Sequence, residues 1–315
     1  MKLFKGIAQT LLTIVLLAIF IFMLTVLGLN CAKFLIYPDY YPRVESVCKN
    51  PGLNDGFVCQ GIGAVDGEDM ILVSGYMTDG SASRIYVTDV ENNSYYVSLS
   101  YGGGDFTGHA GGITVAADKV YIASGKKIAV IPLATLLEAE CGDTVEITER
   151  IDTNNSASYI YSDDKYLYVG EFHDGGKYVT DHVYDTPEGE HHAIIARYTL
   201  NDLTAPDRIY SVRDKVQGVC FTPDGKIIFS TSYGLADSVY YIYDEKTDVI
   251  ASGEELDGAD VYYIAGTPRK IKGPAMAEGL DMRGDRVITL TESASNKYVF
   301  GKLFFADNIV AIDYK

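Results

Sequence analysis

The chain opens on a long apolar run. No charged residue falls between positions 6 and 32, and residues 7–29 are apolar apart mainly from Gln9, Thr10, Thr13 and Thr25. As a helix rising about 1.5 Å per residue, this run reaches roughly 34 Å, enough to cross a ~30 Å hydrocarbon core with slight tilt. Lys2 and Lys5 precede it, and the flank beyond Lys33 turns acidic at Asp39 and Glu45. The positive-inside rule therefore predicts a cytoplasmic N-terminus and an extracytoplasmic remainder. The competing reading is a cleaved signal peptide, whose apolar core spans about 7–15 residues before a small-x-small site. The run here is longer, and Gly28-Leu29-Asn30-Cys31 is a poor cleavage site and a weak lipidation signal.

After Cys59 the pattern changes to short β-branched strands that recur. Each copy begins with a small or polar residue, Gly and an aliphatic residue, passes a turn with Asp or Gly, and ends in an apolar run closing on Ser, Thr, Gly or Tyr. The first copy is Gln60-Gly61-Ile62, Asp66-Gly67 and residues 70–76; the second is Gly111-Gly112-Ile113, Asp118 and 120–125. The third, looser, is Ser158-Tyr159-Ile160, Asp163-Asp164 and 166–171. The fourth is Gln217-Gly218-Val219, Asp224-Gly225 and 227–232, and the fifth is Glu278-Gly279-Leu280, Gly284-Asp285 and 287–292. The second residue of the motif stands at 61, 112, 159, 218 and 279, a period of 47 to 61 residues.

Third strands are expected at 84–90, 127–133, 193–200, 239–243 and 308–314, and fourth strands at 95–99, 145–148, 208–212 and 260–264. The one clear helix signal beyond the anchor is 134–139, after Pro132. Four short antiparallel strands repeated five times predict an all-β fold, a β-propeller of five blades preceded by one transmembrane helix. Radial packing buries both faces of each sheet and leaves only short edges. The fifth copy lacks a fourth strand of its own, and residues 41–47 are the candidate to supply it and close the ring. The expected division is thus 1–36 for the cytoplasmic tip and anchor, 37–56 for a linker with the ring-closing strand, and 57–315 for the propeller.

Composition agrees with strands and tight turns: 25 Tyr, 12 Phe, 31 Gly and no Trp. The formal charge is −17, and since residues 1–36 hold three lysines and no acid, the remainder carries −20. A surface of that sign lacks the clustered cations a nucleic-acid partner requires, so none is expected. The expected partners are the membrane, through the N-terminal helix, and an extracytoplasmic ligand or protein. Five cysteines leave at least one unpaired, and Cys48 with Cys59 is the best candidate disulfide outside a cell.

The strings Gln217-Gly218-Val219-Cys220-Phe221-Thr222-Pro223-Asp224-Gly225 and Glu278-Gly279-Leu280 resemble the inner-strand motifs of lactonase, paraoxonase and strictosidine-synthase-like propellers. Those families carry six blades. The resemblance implies acids and amides at the channel mouth that hold Ca²⁺ and polarise an ester or lactone. The matching positions here are Gln60, Gly111, Ser158, Gln217 and Glu278. A second resemblance, to five-bladed glycosidases, implies carboxylates on separate blades around the axis, with Glu171, Glu278 and Glu292 as the channel acids.

Two functional readings follow. One is a binding module that recognises a ligand, polymer or protein through the channel mouth. The other is a hydrolase of esters, lactones or glycans. Glu278, at the start of an inner strand, is the leading carboxylate, because burial there raises its pKa unless it is paired. Its alternative role is to accept backbone N–H groups and pin neighbouring blades. Glu171 and His109 are the other catalytic candidates. His109 sits in the Gly-rich stretch 102–112, which equally suits a plain tight loop. Gln60, Gln217, His173 and Glu292 are the binding candidates. Four of the five histidines, His173, His182, His191 and His192, fall in one long loop, where they either bind a metal or simply decorate a solvated surface.

Overall fold

The computed structural model describes residues 2–65, 67–303 and 306–315; Asp66, in the turn of the first repeat, lies outside them. The helix Lys2–Ile36 passes the length and composition test for a membrane span over Phe4–Ile36. Its threonines are satisfied within it: Thr10, Thr13 and Thr25 donate to the carbonyls of Gly6, Gln9 and Ile21 at 3.0, 2.9 and 2.9 Å. Such self-sufficiency is what an apolar setting requires of a hydroxyl group.

Among the described residues the strands form a five-bladed β-propeller. Blade one runs Phe57–Ala64, Met70–Met77, Arg84–Asp89 and Ser94–Tyr101, each antiparallel to the last. Blade two has Gly112–Ala116, Lys119–Pro132 and Glu149–Ala157. Its long middle segment doubles back. The Leu133 N–H donates to the Asp118 carbonyl at 2.9 Å, whereas a straight strand of that length extends ~46 Å. The reversal falls at Gly125, whose φ is +70°, so this blade too has four strands. Blade three runs Tyr159–Ser162, Tyr166–Gly170, Ala193–Thr199 and Arg208–Val212. Blade four runs Val216–Phe221, Lys226–Thr231, Ser238–Asp244 and Arg269–Gly273. Blade five has Ala277–Arg283, Arg286–Thr291 and Asn308–Ile312, and its fourth strand is Val44–Lys49, from Val44 opposite Ile312 to Lys49 opposite Asn308.

Two expected fourth strands lie elsewhere. Thr144–Glu146 runs parallel to Ser94–Tyr101 on the outer edge of blade one, and Ala259–Ile264 runs parallel to Arg208–Val212 on the outer edge of blade three. The physical reason is burial. The helical turn Leu133–Leu137 and the hairpin after Val249 carry the chain back over the preceding blade, where Val145, Ile147, Val261 and Ile264 become buried. Glu149–Ala157 and Arg269–Gly273 then take the vacant places.

Around the axis the blades touch through inner-strand glycines. A Cβ on Gly61 would meet Ile113 N at 2.5 Å and Gly112 Cα at 2.6 Å, and one on Gly112 would meet Ile160 N at 2.6 Å. A Cβ on Gly218 would meet Leu280 N at 2.8 Å, and one on Gly279 would meet Ile62 N at 3.0 Å. Blade three carries Tyr159 at the equivalent position. Its ring crosses Gly170, where a Cβ would lie 2.0 Å from it. The missing glycine of one strand is thus replaced by a glycine on the next.

The expected Cys48–Cys59 disulfide is absent. Cys48 lies in the closing strand opposite Ile309, whereas Cys59 Sγ lies 3.0 Å from Asn50 Nδ2 and donates to the Thr291 carbonyl at 3.4 Å. Burial pushes the Cys59 thiol well up. Cys48, Cys59 and Cys220 are buried, and Cys31 and Cys141 are exposed. Titration with a maleimide on the native protein in detergent is expected to label Cys141 and Cys31, and the other three only after denaturation. Labelling of Cys59 in the native state would contradict this packing.

Candidate functional site

Each inner strand begins at one end of the axis, so the residue before each glycine-aligned position faces the same space. Gln60, Gly111, Ser158, Gln217 and Glu278 all line one cavity of about 440 Å³. Glu292, which follows the second strand of blade five, and His109 line it too. Its walls are aromatic: Tyr76, Phe172, Tyr178, Tyr233 and Tyr298. Phe172 packs edge-on to Tyr178 at 5.5 Å and tilted to Tyr233 at 6.2 Å. The volume lies within the range of small-molecule sites, about 300–1,000 Å³.

A hydrogen-bonded line crosses the floor. Gln60 Nε2 donates to Glu292 Oε2 at 2.8 Å and to the Cys59 carbonyl at 2.9 Å. That leaves Gln60 Oε1 facing His109 Nε2 at 2.6 Å. An amide oxygen only accepts, so the neutral His109 ring carries its proton on Nε2 and its lone pair on Nδ1. Tyr298 donates to the same Glu292 oxygen at 3.0 Å. His109 stacks on Tyr76 at 4.6 Å, and Lys297 reaches the Tyr76 hydroxyl.

Glu278 is 2% exposed. Among the described residues the side-chain donor facing it is Gln217 Nε2, at 3.4 Å. Burial therefore holds its pKa well above the carboxylate range, and Glu292 nearby adds repulsion. Burial also raises Glu292, to about 7, against the opposing effects of Tyr298, Lys297 and Gln60. At neutral pH the floor thus holds a protonated carboxylic acid beside one near its midpoint. His109 shifts the other way: enclosure on most sides lowers its pKa, with Lys297 and Lys177 adding to the effect, although its ring reaches solvent through the mouth. Left-handed backbone gathers here as well. Ala110, Lys215 and Met276 have φ of +49°, +65° and +66°; Ala110 precedes lining Gly111, Lys215 stands two residues before lining Gln217, and Met276 itself lines the cavity. Such conformations persist only where the surroundings enforce them.

Of the candidates drawn from the sequence, Glu278, His109, Gln60, Gln217 and Glu292 share this cavity. Glu171 does not join them. Its oxygens accept from Ser156 N at 3.1 Å and Ile194 N at 3.2 Å, and His182 Nε2 lies 3.4 Å away. Hydrogen bonding to that carboxylate raises the His182 pKa. Glu171 is a buried acceptor that pins the long loop to blade three. His173 is also turned away, with Nδ1 2.8 Å from Thr180 Oγ1 and 3.2 Å from the Thr180 N–H.

His173, His192 and Asp214 bring ligating atoms within 4.8 Å of one another. Their protons are already committed. The Thr180 N–H points at His173 Nδ1, placing the ring proton on Nε2, and His192 Nδ1 faces both oxygens of Asp214 at 3.1 and 3.2 Å. The trio is explained as a pin for the loop without a metal. Nor does the mouth fit calcium, which takes six to eight oxygens with several carboxylates. It offers a carboxylic acid, a carboxyl engaged by Gln60 and Tyr298, and an amide oxygen facing His109.

The aromatic wall escaped the sequence reading. Tyr76, Phe172 and Tyr233 each stand at or just past the end of their blade's second strand. Aligning the repeats at that edge would have exposed them.

No protein-family model matches the chain, and no curated protein matches it. Solved structures similar in shape are remote. A PQQ-bound aldose sugar dehydrogenase from Streptomyces coelicolor is 13% identical, over 85% of this chain and 96% of that one, with a TM-score of 0.45. A GH43_1 enzyme from Xanthomonas citri is 11% identical, over 88% and 90%, with a TM-score of 0.45. BamB from Moraxella catarrhalis is 9% identical, over 81% and 82%, with a TM-score of 0.35. Likeness at this level carries no argument about activity.

Proposed function

We propose that the protein is anchored in a membrane by its N-terminal helix, displays the propeller outside the cytoplasm, and binds a small polyhydroxylated ligand in the channel mouth. The observation that carries this reading is the convergence of five inner-strand starts on one cavity with aromatic walls and a polar floor. Aromatic faces pack against the C–H faces of a sugar-like ring. Glu292, Gln60, Gln217 and Ser158 offer hydroxyl-binding groups, and protonated Glu278 adds a donor. The apolar helix supports the anchor, and Lys2 and Lys5 support its orientation.

A thermal-shift screen of neutral sugars, polyols and their amino derivatives tests the ligand class. At least one is expected to raise the melting temperature. Tyr233→Ala or Glu292→Gln is expected to weaken its binding about tenfold or more. A ligand indifferent to both changes overturns the placement in the mouth, and a screen without a binder overturns the class.

The acid pair supports one further reading, hydrolysis. A carboxylic acid that keeps its proton at neutral pH serves as a general acid, and a carboxylate with a pKa near 7 as a general base. Under this reading aryl glycosides or esters are turned over, and Glu278→Gln lowers kcat by about 10²–10⁴. Turnover that survives both Glu278→Gln and Glu292→Gln removes it.

A further inference from the structure

The N-terminal helix is longer than a bilayer needs. Its 35 residues extend about 52 Å, whereas a hydrocarbon core of ~30 Å takes about 20 residues. With Lys5 holding the cytoplasmic boundary, the core runs from Gly6 to about Thr25, and the last turns stand clear of it. The propeller grips the helix at two heights. Higher up, Tyr37 donates to Asp237 at 2.8 Å and Tyr40 stacks on Tyr240 at 6.0 Å. Lower down, Asn30 Nδ2 donates to the Leu303 carbonyl at 3.2 Å, and Phe22 packs edge-on to Phe300 at 6.4 Å. From Phe22 past Asn30 to Tyr37 these contacts span ~22 Å of helical rise, so the body packs along the outer half of the helix.

Phe22 falls about one turn inside the outer edge of the hydrocarbon. Its partner Phe300 is 62% exposed and the adjoining Val299 is 63% exposed. Lys297 and Lys302 flank them, and Lys297 and Tyr298 line the cavity. Apolar side chains with lysines at their edges, held about 5 Å below the lipid boundary, fit an interfacial contact. The acidic body repels anionic headgroups, so apolar insertion rather than charge makes this contact.

Resting on the membrane anchoring proposed above, we infer that Val299 and Phe300 form a second membrane contact, inserted into the outer lipid–water boundary of the bilayer that the helix crosses. The cavity wall made by Lys297 and Tyr298 then stands one residue from lipid.

The chain contains no Trp, so one introduced indole reports alone. The full-length protein carrying Phe300→Trp, or Val299→Trp as a second variant, is reconstituted in phosphatidylcholine vesicles with or without acyl-chain bromine. Phe20→Trp in the helix reports anchoring, and Tyr101→Trp on blade one reports water. Phe300→Trp is expected to show blue-shifted emission and to lose about half of it to bromine, while Tyr101→Trp is unaffected. Strong quenching of Phe20→Trp with none at positions 299 and 300 overturns the second contact and leaves the anchor standing. No quenching of Phe20→Trp overturns the anchor itself.

Discussion

Replacing Glu278 by Gln is expected to stabilise the protein at pH 8 and to leave its stability unchanged near pH 4. In the unfolded chain this carboxyl ionises near 4.3. In the folded protein, burial and then Glu292 keep it protonated far above that. As pH rises from about 4.5, the unfolded state loses a proton that the folded state retains, so stability falls with pH. Glu292, raised to about 7, adds a second fall through the window from about 4.5 to 7. Gln keeps the carbonyl that accepts from Gln217 and cannot ionise. The gain is therefore expected to grow steadily from pH 4.5 through pH 6 to pH 8. In a domain of this size each kcal/mol gained raises the melting temperature by about 2–4 °C. The same change is expected to impair whatever the mouth binds or turns over, the usual opposition of stability and function. Melting curves of both proteins at pH 4.5, 6 and 8 check this. Curves that stay parallel would mean Glu278 is ionised and paired.

Gly112→Ala is expected to act in the opposite direction and on the whole ring. The new Cβ would lie 2.6 Å from Ile160 N and 2.9 Å from Tyr159 Cα, both backbone atoms of the next blade. No rotamer relieves such a contact, so blades two and three must part, at a cost of about 3 kcal/mol or more. Gly104→Ala is the control, because its Cβ meets nothing within 4 Å and its backbone is not left-handed. Calorimetry is expected to show a large drop in melting temperature for Gly112→Ala and little or no change for Gly104→Ala. Equal effects would show that axial close packing is not what the repeated glycine provides.

That glycine also explains which parts of the structure were legible beforehand. The turn and the apolar alternation recur because every blade solves the same burial problem, so strand positions and blade number can be read from the chain. Partner choice cannot. Residues 144–146 and 259–264 alternate like fourth strands, yet each is captured by the outer edge of the preceding blade. Alternation states which face is buried and is silent about the neighbour that buries it. At the mouth, Glu278 was readable because the repeat register puts it beside the axis. Glu171 was not, since no pattern in one strand reveals that Ser156 and Ile194 on neighbouring strands consume its oxygens. Tyr76, Phe172 and Tyr233 sit at strand ends, where the repeat loosens and the loops differ in length.

The pairing of Val44–Lys49 with Asn308–Ile312 sets an order of events in biosynthesis. Among the described residues the strand that completes blade five is the first β-segment in chain order, and the segment it pairs with is the last. While the chain is being made, that early strand has an open edge and no partner. Blades one to four have all their strands in hand sooner and can form in turn. The circle closes only once residues 308–312 have been made, through a contact of very long sequence separation, the kind that slows folding. A chain stalled or clipped before residue 308 therefore keeps every mouth-lining side chain but leaves its ring unlatched, with unpaired edges open to a neighbouring copy.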